Sequence, residues 1–215
     1  METNFWLERW RNNEIGFHQN EVNPFLTRYF KELLLDEGAR VFVPLCGKTF
    51  DIAWLLSEGY RVVGVELAES AVKQLFAGLA MEPQILQEGK FKLYRSEMID
   101  VFAGDLFNLT GEMLGSVDGV YDRAALVALP EEMRVRYTKH LTQLTDRAPQ
   151  LLITYVYDQN KMPGPPFSVT PEEVTRHYAD SYRIKRLEKM ELPGGLKGKC
   201  AATEMVWFLA NKQKG

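Results

Sequence analysis

Two apolar runs rich in β-branched residues, with a helical pattern between them, constrain the fold of this chain more than any other feature. The first run spans residues 41–43 and the second residues 60–65, and the helical segment 49–58 ends at Gly59. Strands that are apolar along their whole length are typical of parallel sheets covered on both faces. This strand–helix–strand unit therefore predicts an α/β protein built on a parallel sheet.

The same alternation continues along the chain and ends in two longer strands. Thr170, Pro171 and Glu173 have the spacing of a helix start, with Thr170 as the N-cap and Glu173 closing a capping box. We predict a mostly parallel seven-stranded sheet with an antiparallel edge strand and helices on both faces. The predicted strands are 39–45, 60–66, 98–103, 117–122, 150–157, 182–190 and 204–211, and the main predicted helices are 23–36, 49–58, 69–80 and 130–147.

Composition excludes several other classes of protein. The chain has 215 residues, which suits a single domain over 1–215, and its net charge of −3 gives no basic footprint for nucleic acid. No apolar run approaches the ~18 residues of a membrane span, and the polar, aromatic N-terminus does not resemble a signal peptide. Two cysteines without a C-x-x-C pair argue against a disulfide framework. We expect a cytoplasmic protein without nucleic-acid or membrane partners.

The carboxyl ends of the predicted strands indicate where a ligand would bind. In open α/β sheets, ligands occupy the crevice beyond those ends. Glu66 ends the second strand, where a carboxylate can accept hydrogen bonds from a ribose diol; the alternative is a carboxylate that caps the next helix. Asp105 follows the third strand and suits either an adenine edge or a tight turn.

The turn after the first strand discriminates between ligands. Residues 44–49 read PLCGKT, whereas a dinucleotide-binding turn needs G-x-G-x-x-G so that bare backbone can approach the pyrophosphate. A P-loop ending at Lys48 would require glycine at position 42, which is Phe42. S-adenosylmethionine has no phosphate and tolerates a bulkier turn. The turn therefore favours a methyl donor over NAD or ATP.

Three separated motifs carry a family resemblance. They are FWLERWRNNEIGFHQ at residues 5–19, VPLCGKTFDIAWL at 43–55 and YDRAALVALP at 121–130. Together they resemble the bacterial branch of the thiopurine S-methyltransferase family, over nearly the whole chain. The resemblance implies a Rossmann-like class I methyltransferase fold and transfer of a methyl group from S-adenosylmethionine to the sulfur of a thiopurine or another aromatic or heterocyclic thiol.

The resemblance also implies a set of binding residues. Phe17 matches a position that lines both the donor and the acceptor, and Arg123 matches a donor-binding position. At the carboxyl end of the fourth strand, Arg123 is also placed to meet an anionic acceptor. Gly47, in the turn after the first strand, is included in the predicted donor set. The predicted donor-binding residues are Trp6, Trp10, Leu45, Gly47, Glu66, Asp105, Leu106 and Arg123, and the predicted acceptor-binding residues are Phe17 and Arg123.

The N-terminal arm, residues 1–22, has two interpretations. Its aromatic residues either pack a helix onto the core or close over the ligand as a lid, and the two uses can coexist. Arg123 is either half of a surface ion pair or a contact for an anionic ligand group. His18 is a candidate base, although a lone histidine among aromatics is more often structural.

The sequence leaves the acceptor open. Some relatives contact the acceptor through an additional arginine before the last strand, whereas PGGLKGKCAATE at residues 193–204 carries lysines here. Inorganic selenium or tellurium species, small aliphatic thiols, and a non-catalytic role in binding S-adenosylmethionine remain alternatives. Because a thiol is already soft and acidic, we assign no catalytic residue. We expect no metal, a small-molecule thiol partner and a monomer.

Overall fold

The computed structural model describes residues 3–12, 14 and 19–212. The α-helices are α1 (Thr3–Arg11), α2 (Pro24–Tyr29), α3 (Phe50–Ser57), α4 (Glu69–Gly78), α5 (Gly111–Leu114), α6 (Glu131–Leu144) and α7 (Pro171–Tyr178). The strands are β1 (Arg40–Pro44), β2 (Arg61–Glu66), β3 (Gln84–Glu88), β4 (Phe91–Arg95), β5 (Ile99–Ala103), β6 (Gly119–Arg123), β7 (Gln150–Tyr157), β8 (Tyr182–Glu191) and β9 (Ala202–Asn211). Among the helices of these residues, none combines the length and apolar character needed to cross a membrane.

All nine strands form one sheet in the order β3-β4-β5-β2-β1-β6-β7-β9-β8. The five central strands, from β5 to β7, pair in parallel. The outer strands pair antiparallel, including β8 and β9, as predicted. The chain steps from β1 to β2 on one side and later returns to place β6 on the other. This reversal opens a crevice beyond the carboxyl end of β1.

Two apolar clusters cover the two faces of the sheet. Alternation along β1 places Val41 and Val43 in one cluster and Phe42 in the other, since successive side chains point to opposite faces. Helices α2, α3 and α4 contribute to the cluster of Val41, while α5, α6 and α7 contribute to that of Phe42. The prediction of helices on both faces is confirmed.

The sheet has two strands more than predicted. The additional strands β3 and β4 form an antiparallel hairpin that extends the sheet beyond β5. Their two-residue loop begins at Gly89 with φ +56°, which fits a II′ turn with glycine in its first central position. Strand β3 is largely exposed, with Ile85 55% accessible, so it lacks the apolar run that identified the inner strands. The count of seven was therefore wrong.

Two predicted helix features also differ in the structure. The predicted helix 23–36 is an α-helix only to Tyr29, continues as a 3₁₀ turn over Phe30–Leu33, and stops because Leu34 takes φ +52°. At α7, Thr170 caps the Glu173 amide as predicted. The Glu173 carboxylate, however, binds Arg134 through both oxygens, at 2.6 and 3.0 Å, instead of closing a capping box. The Glu173 carboxylate, which the sequence spacing predicted to cap the start of α7, is thus bound by the buried Arg134 of α6.

Candidate active site

A cavity of about 320 Å³ lies at the carboxyl edge of the parallel strands. Its floor comes from the turns after β1, β2, β5 and β6 and from Tyr155 on β7. Its remaining walls come from α1 and Gln19, from Met133 on α6, and from two loops at residues 165–166 and 196–197. This is the position that the strand order predicts for a ligand.

The structure brings the predicted donor residues together around this cavity. All eight line it: Trp6, Trp10, Leu45, Gly47, Glu66, Asp105, Leu106 and Arg123. They come from α1 and from the ends of four strands, so only the fold makes them neighbours. Phe17 and His18, the predicted acceptor contact and candidate base, lie outside the described residues.

Glu66 is tied into the site by two backbone amides. Its Oε2 accepts the Gly47 N–H at 2.9 Å, and its Oε1 accepts the Ala68 N–H at 2.8 Å, at the start of α4. Burial raises the pKa of the Glu66 carboxyl, while these amide hydrogen bonds oppose that shift. The helix-start contact considered for Glu66 is thus present. Each carboxylate oxygen retains capacity for another hydrogen bond, so the ribose role remains compatible with it.

The turn after β1 is shaped by side chains and internal hydrogen bonds. The Cys46 amide donates to Val65 and the Gly47 amide to Glu66, so neither is free to cradle a phosphate. Leu45 and Gly47 both have positive φ, at +47° and +54°. A Cβ at Gly47 would lie only 3.2 Å from Cζ2 of Trp10. Position 47 therefore needs glycine so that the Trp10 ring of the arm can approach closely. In a dinucleotide site, by contrast, the glycines let the backbone approach a pyrophosphate.

Asp105 takes the turn role in the structure. Its side chain accepts the Phe107 amide at 3.0 Å and caps the 3₁₀ turn Leu106–Asn108. Leu106 is buried beside it and lines the cavity. Both residues line the cavity, and a contact between Asp105 and the adenine edge stays a prediction.

Arg123 lies in a buried polar cluster, which excludes the surface ion pair. Its Nη1 is 3.8 Å from Oδ2 of Asp51, and the two side chains are 8% and 1% exposed. Asp51 also accepts the Tyr121 hydroxyl at 3.0 Å and the Asn23 amide at 2.8 Å. Asp51 could not be recognised from the sequence, because an acidic residue in the first turn of a helix is common. At 3.8 Å, the contact leaves guanidinium N–H groups for a ligand.

Tyr155 and Glu204 form a second polar pair that the sequence did not reveal. They face each other across β7 and β9, and Tyr155 lines the cavity. Burial raises the pKa of the Glu204 carboxyl, and its Oε1 has no hydrogen-bond partner among the described residues. Burial and then the nearby Glu204 raise the pKa of Tyr155. Because Tyr155 and Glu204 lie far apart in the sequence and meet only in the folded sheet, no local sequence pattern could have identified the pair.

Helix α1 attaches to the protein through a cluster separate from the two main ones. Trp10 is buried against Ala68 and Ala71 of the α4 region, with Leu7 beside them. On another side of α1, Arg9 lines the cavity and stacks on Phe5 at 4.7 Å. The described part of the arm therefore both packs and faces the cavity, as the two combined interpretations allow.

Three other side chains of nucleophilic or metal-binding type have structural environments. Cys46 is buried, and burial raises the pKa of its thiol, which disfavours the nucleophilic thiolate. Nε2 of His140 is 3.1 Å from the Leu106 carbonyl oxygen, and Nε2 of His177 is 3.1 Å from the Glu173 carboxylate. Within residues 3–12, 14 and 19–212, no group of three histidine, cysteine or acidic residues is arranged to hold a metal ion.

The fold and the cavity define a class of enzyme. The parallel core, the antiparallel β9 and β8, and an acidic residue ending β2 beside the cavity are the features of a class I S-adenosylmethionine-dependent methyltransferase. A similar fold is found in Burkholderia thailandensis 1,6-didemethyltoxoflavin-N1-methyltransferase, solved with 1,6-didemethyltoxoflavin and S-adenosylhomocysteine bound. That likeness has a TM-score of 0.66 at 16% identity and covers 97% of this chain and 87% of the other.

Sequence comparison then places the chain within that class. The family described as Thiopurine S-methyltransferase (TPMT) matches residues 1–209. A thiopurine S-methyltransferase of Xanthobacter autotrophicus is 52% identical over 97% of this chain and 99% of its own length. One from Teredinibacter turnerae is 50% identical over 98% of both chains. The chain belongs to the thiopurine S-methyltransferase family.

Proposed function

We propose that this chain transfers the methyl group of S-adenosylmethionine to the sulfur of a thiopurine or of another aromatic or heterocyclic thiol. One observation supports the proposal most strongly. Glu66, the aromatic residues of the arm and a turn that lacks free amides for a phosphate all line the same cavity. Relatives that are half identical over nearly their whole length have the name of this activity.

The donor fits the end of the cavity beside Glu66. A carboxylate held by two backbone amides has a fixed direction and can accept the ribose hydroxyls. The Trp10 ring lies against Gly47 and closes that end. The proposed donor set keeps the predicted residues Trp6, Trp10, Leu45, Gly47, Glu66, Asp105, Leu106 and Arg123, all on the cavity wall.

Methyl transfer requires the protein to align the donor and the acceptor more than to transfer a proton. When bound, S-adenosylmethionine supplies an electrophilic methyl group on a sulfonium. The new carbon–sulfur bond to the acceptor forms as the bond to the sulfonium sulfur breaks, and the thiol proton passes to solvent. The cavity walls hold the two sulfur atoms in line, an effect of up to ~7–11 kcal/mol. The proposal therefore needs neither a catalytic base nor a metal.

The cavity wall favours a ring as the acceptor. Val127, Leu129 and Met133 give it an apolar side, and Leu196 gives it another apolar contact. An apolar wall binds a flat heterocycle better than a hydrated selenium or tellurium oxyanion. We also propose that the protein acts as a monomer. We place the enzyme in the cytoplasm with a small-molecule substrate.

The test is a transfer assay with labelled donor. Thiopurines and aromatic thiols are compared with aliphatic thiols, selenite and tellurite at equal concentration. The proposal requires the highest kcat/KM on a ring thiol. Highest activity on the inorganic species or aliphatic thiols would contradict the acceptor class, and donor binding without transfer to any compound would identify a non-catalytic binder.

Glu66→Gln is expected to weaken the binding of S-adenosylhomocysteine roughly 10- to 100-fold. Both Glu66 oxygens accept backbone N–H groups, so a glutamine would direct its NH₂ group at one of those donors. Loss of a charge-assisted hydrogen bond costs about 1.5–3 kcal/mol. Titration calorimetry measures the affinity. Glu69→Gln, which changes a carboxylate bound by Lys73, Lys92 and Tyr94 at the start of α4, is the matched control, and equal affinities in both variants would remove Glu66 from the donor site.

A further inference from the structure

Tyr155 and Glu204 form a polar pair beside the cavity that the proposed methyl transfer does not use. They are directly paired residues of β7 and β9, so their side chains leave the sheet on the same face. Tyr155 is partly buried and lines the cavity, whereas Glu204 is 6% exposed. Any effect of Glu204 on a ligand therefore passes through Tyr155.

The Glu204 carboxyl is incompletely satisfied. Its Oε1 is buried and has no hydrogen-bond partner among the described residues, a state that destabilises a fold and calls for an explanation. Burial raises the pKa of the Glu204 carboxyl, while the Tyr155 hydroxyl and the charge of Arg123 oppose that shift by favouring the carboxylate. A carboxylate only accepts hydrogen bonds, so the proton of the Tyr155 hydroxyl is directed toward Glu204.

The Tyr155 oxygen consequently offers the cavity a hydrogen-bond acceptor. A hydroxyl that donates to a carboxylate becomes a better acceptor, because linked hydrogen bonds polarise one another. The backbone fixes where this oxygen lies: Tyr155 pairs with β9, and its carbonyl oxygen accepts the Val169 amide at 2.7 Å. A ligand N–H group that points at Tyr155 thus meets an acceptor in a set position.

The position of Tyr155 relative to Glu66 decides which ligand it meets. Strand order places β1 and β6 between β2, which ends in Glu66, and β7, which carries Tyr155. Three steps of ~4.8 Å separate these two strands by roughly 14 Å. With the donor ribose at Glu66, the compound beside Tyr155 is the acceptor.

We propose that Tyr155, held by Glu204, accepts a hydrogen bond from a ring N–H beside the thione carbon of the acceptor, so that the preferred substrates are heterocyclic thiones with an N–H next to C=S. Tyr155 touches the substrate, and Glu204 acts through it as a positioning residue. This inference rests on the proposed S-methyl transfer and specifies its substrate class. Thiopurines in their thione form contain this group, whereas thiophenol lacks it.

The hydrogen bond to Tyr155 strengthens as the methyl group is transferred. The new carbon–sulfur bond forms from a lone pair of the thione sulfur, and the bond from the methyl group to the sulfonium breaks with its electrons left on the donor sulfur. Positive charge develops on the heterocycle, its N–H becomes a stronger donor, and the proton is lost to solvent after the transfer. An interaction that is stronger in the transition state than in the bound substrate raises kcat.

The experiment compares pyridine-2-thione with pyridine-4-thione, which differ in whether the N–H lies beside the thione carbon or across the ring. We expect the wild-type protein to favour the 2-isomer roughly 10- to 100-fold in kcat/KM, the range of one strong hydrogen bond. Tyr155→Phe and Glu204→Gln should each reduce that ratio about tenfold, mainly through kcat for the 2-isomer, and should leave the rate with thiophenol unchanged. Tyr29→Phe and Glu188→Gln are the matched controls, because this tyrosine–glutamate pair makes a 2.5 Å hydrogen bond between α2 and β8, away from the cavity wall.

Thermal unfolding and donor binding separate this role from others. If the pair is purely structural, Tyr155→Phe and Glu204→Gln lower Tm and leave the isomer ratio at the wild-type value, which contradicts the inference. An equal loss with both isomers and thiophenol also contradicts it, since it would assign Tyr155 to the shape of the cavity. Weaker binding of S-adenosylhomocysteine in both variants would assign the pair to the donor instead.

The wild-type protein distinguishes failure of the inference from failure of the proposed function. Methylation of both isomers and thiophenol without preference for the 2-isomer overturns the inference alone. If the protein methylates none of these compounds and no thiopurine, the proposed function fails and the inference fails with it.

Discussion

A variant lacking residues 1–18 is expected to lose at least roughly 100- to 1000-fold in kcat/KM while keeping most of its thermal stability. The deletion removes Trp6, Arg9 and Trp10 from the cavity wall and opens it to water. Misplaced or solvated reactants lose activity on this scale. Neither main apolar cluster contains a residue of α1, which packs instead through its own small cluster with Ala68 and Ala71. The sheet and its covering helices therefore keep their contacts.

Hydrogen exchange separates a lid from a permanently packed helix. If the arm closes on the ligand, amides of residues 3–12 should exchange more slowly when S-adenosylhomocysteine is added, with a larger change than in β1 or β2. Glu8→Gln, at an exposed position of α1, is the control for changes to the arm that spare the cavity. Strong protection already present in the empty protein, or a large fall in Tm on deletion, would identify the arm as core.

The central sheet was predictable because burial on both faces leaves a simple pattern. Each inner strand must be apolar along its length, and each connecting helix must bury one side, so β1, β2, β6 and β7 stand out in the sequence. The hairpin β3–β4 lies at an edge, where solvent faces β3 and polar residues are tolerated. The only local sign was Gly89 followed by Lys90 between two short runs with β-forming residues.

The residues of the candidate site that lie at the ends of parallel strands could be predicted from the sequence. Glu66, Gly47 and Arg123 follow or end parallel strands, and the fold alone places such residues at the cavity. Asp51 and Glu204 were missed because their environment depends on partners far along the chain. Asp51 binds groups from positions 23, 121 and 123, and Glu204 faces Tyr155 across the sheet. Long-range pairs of this kind have no local signature.

Arg123→Lys is expected to reduce kcat/KM roughly 100-fold although the charge is kept. The guanidinium lies at the end of β6, faces the cavity and is 8% exposed beside Asp51. Its planar fork can contact Asp51 with one nitrogen and a ligand anion with the others, whereas an ammonium is a compact charge that cannot span both. A positive charge beside Asp51 remains, so most of the stability from that buried pair should remain too.

The measurement is steady-state kinetics in both substrates together with thermal unfolding. A rise in KM for the donor would place the fork on the donor carboxylate, and a rise for the acceptor thiol would place it on the acceptor. Arg40→Lys is the matched control: Arg40 also engages an acid and backbone carbonyls, but at the amino end of β1, on the opposite edge from the cavity. Its replacement should affect stability alone. Wild-type kcat and KM in Arg123→Lys would show that Arg123 serves only to neutralise Asp51, because any cation of that reach can do so.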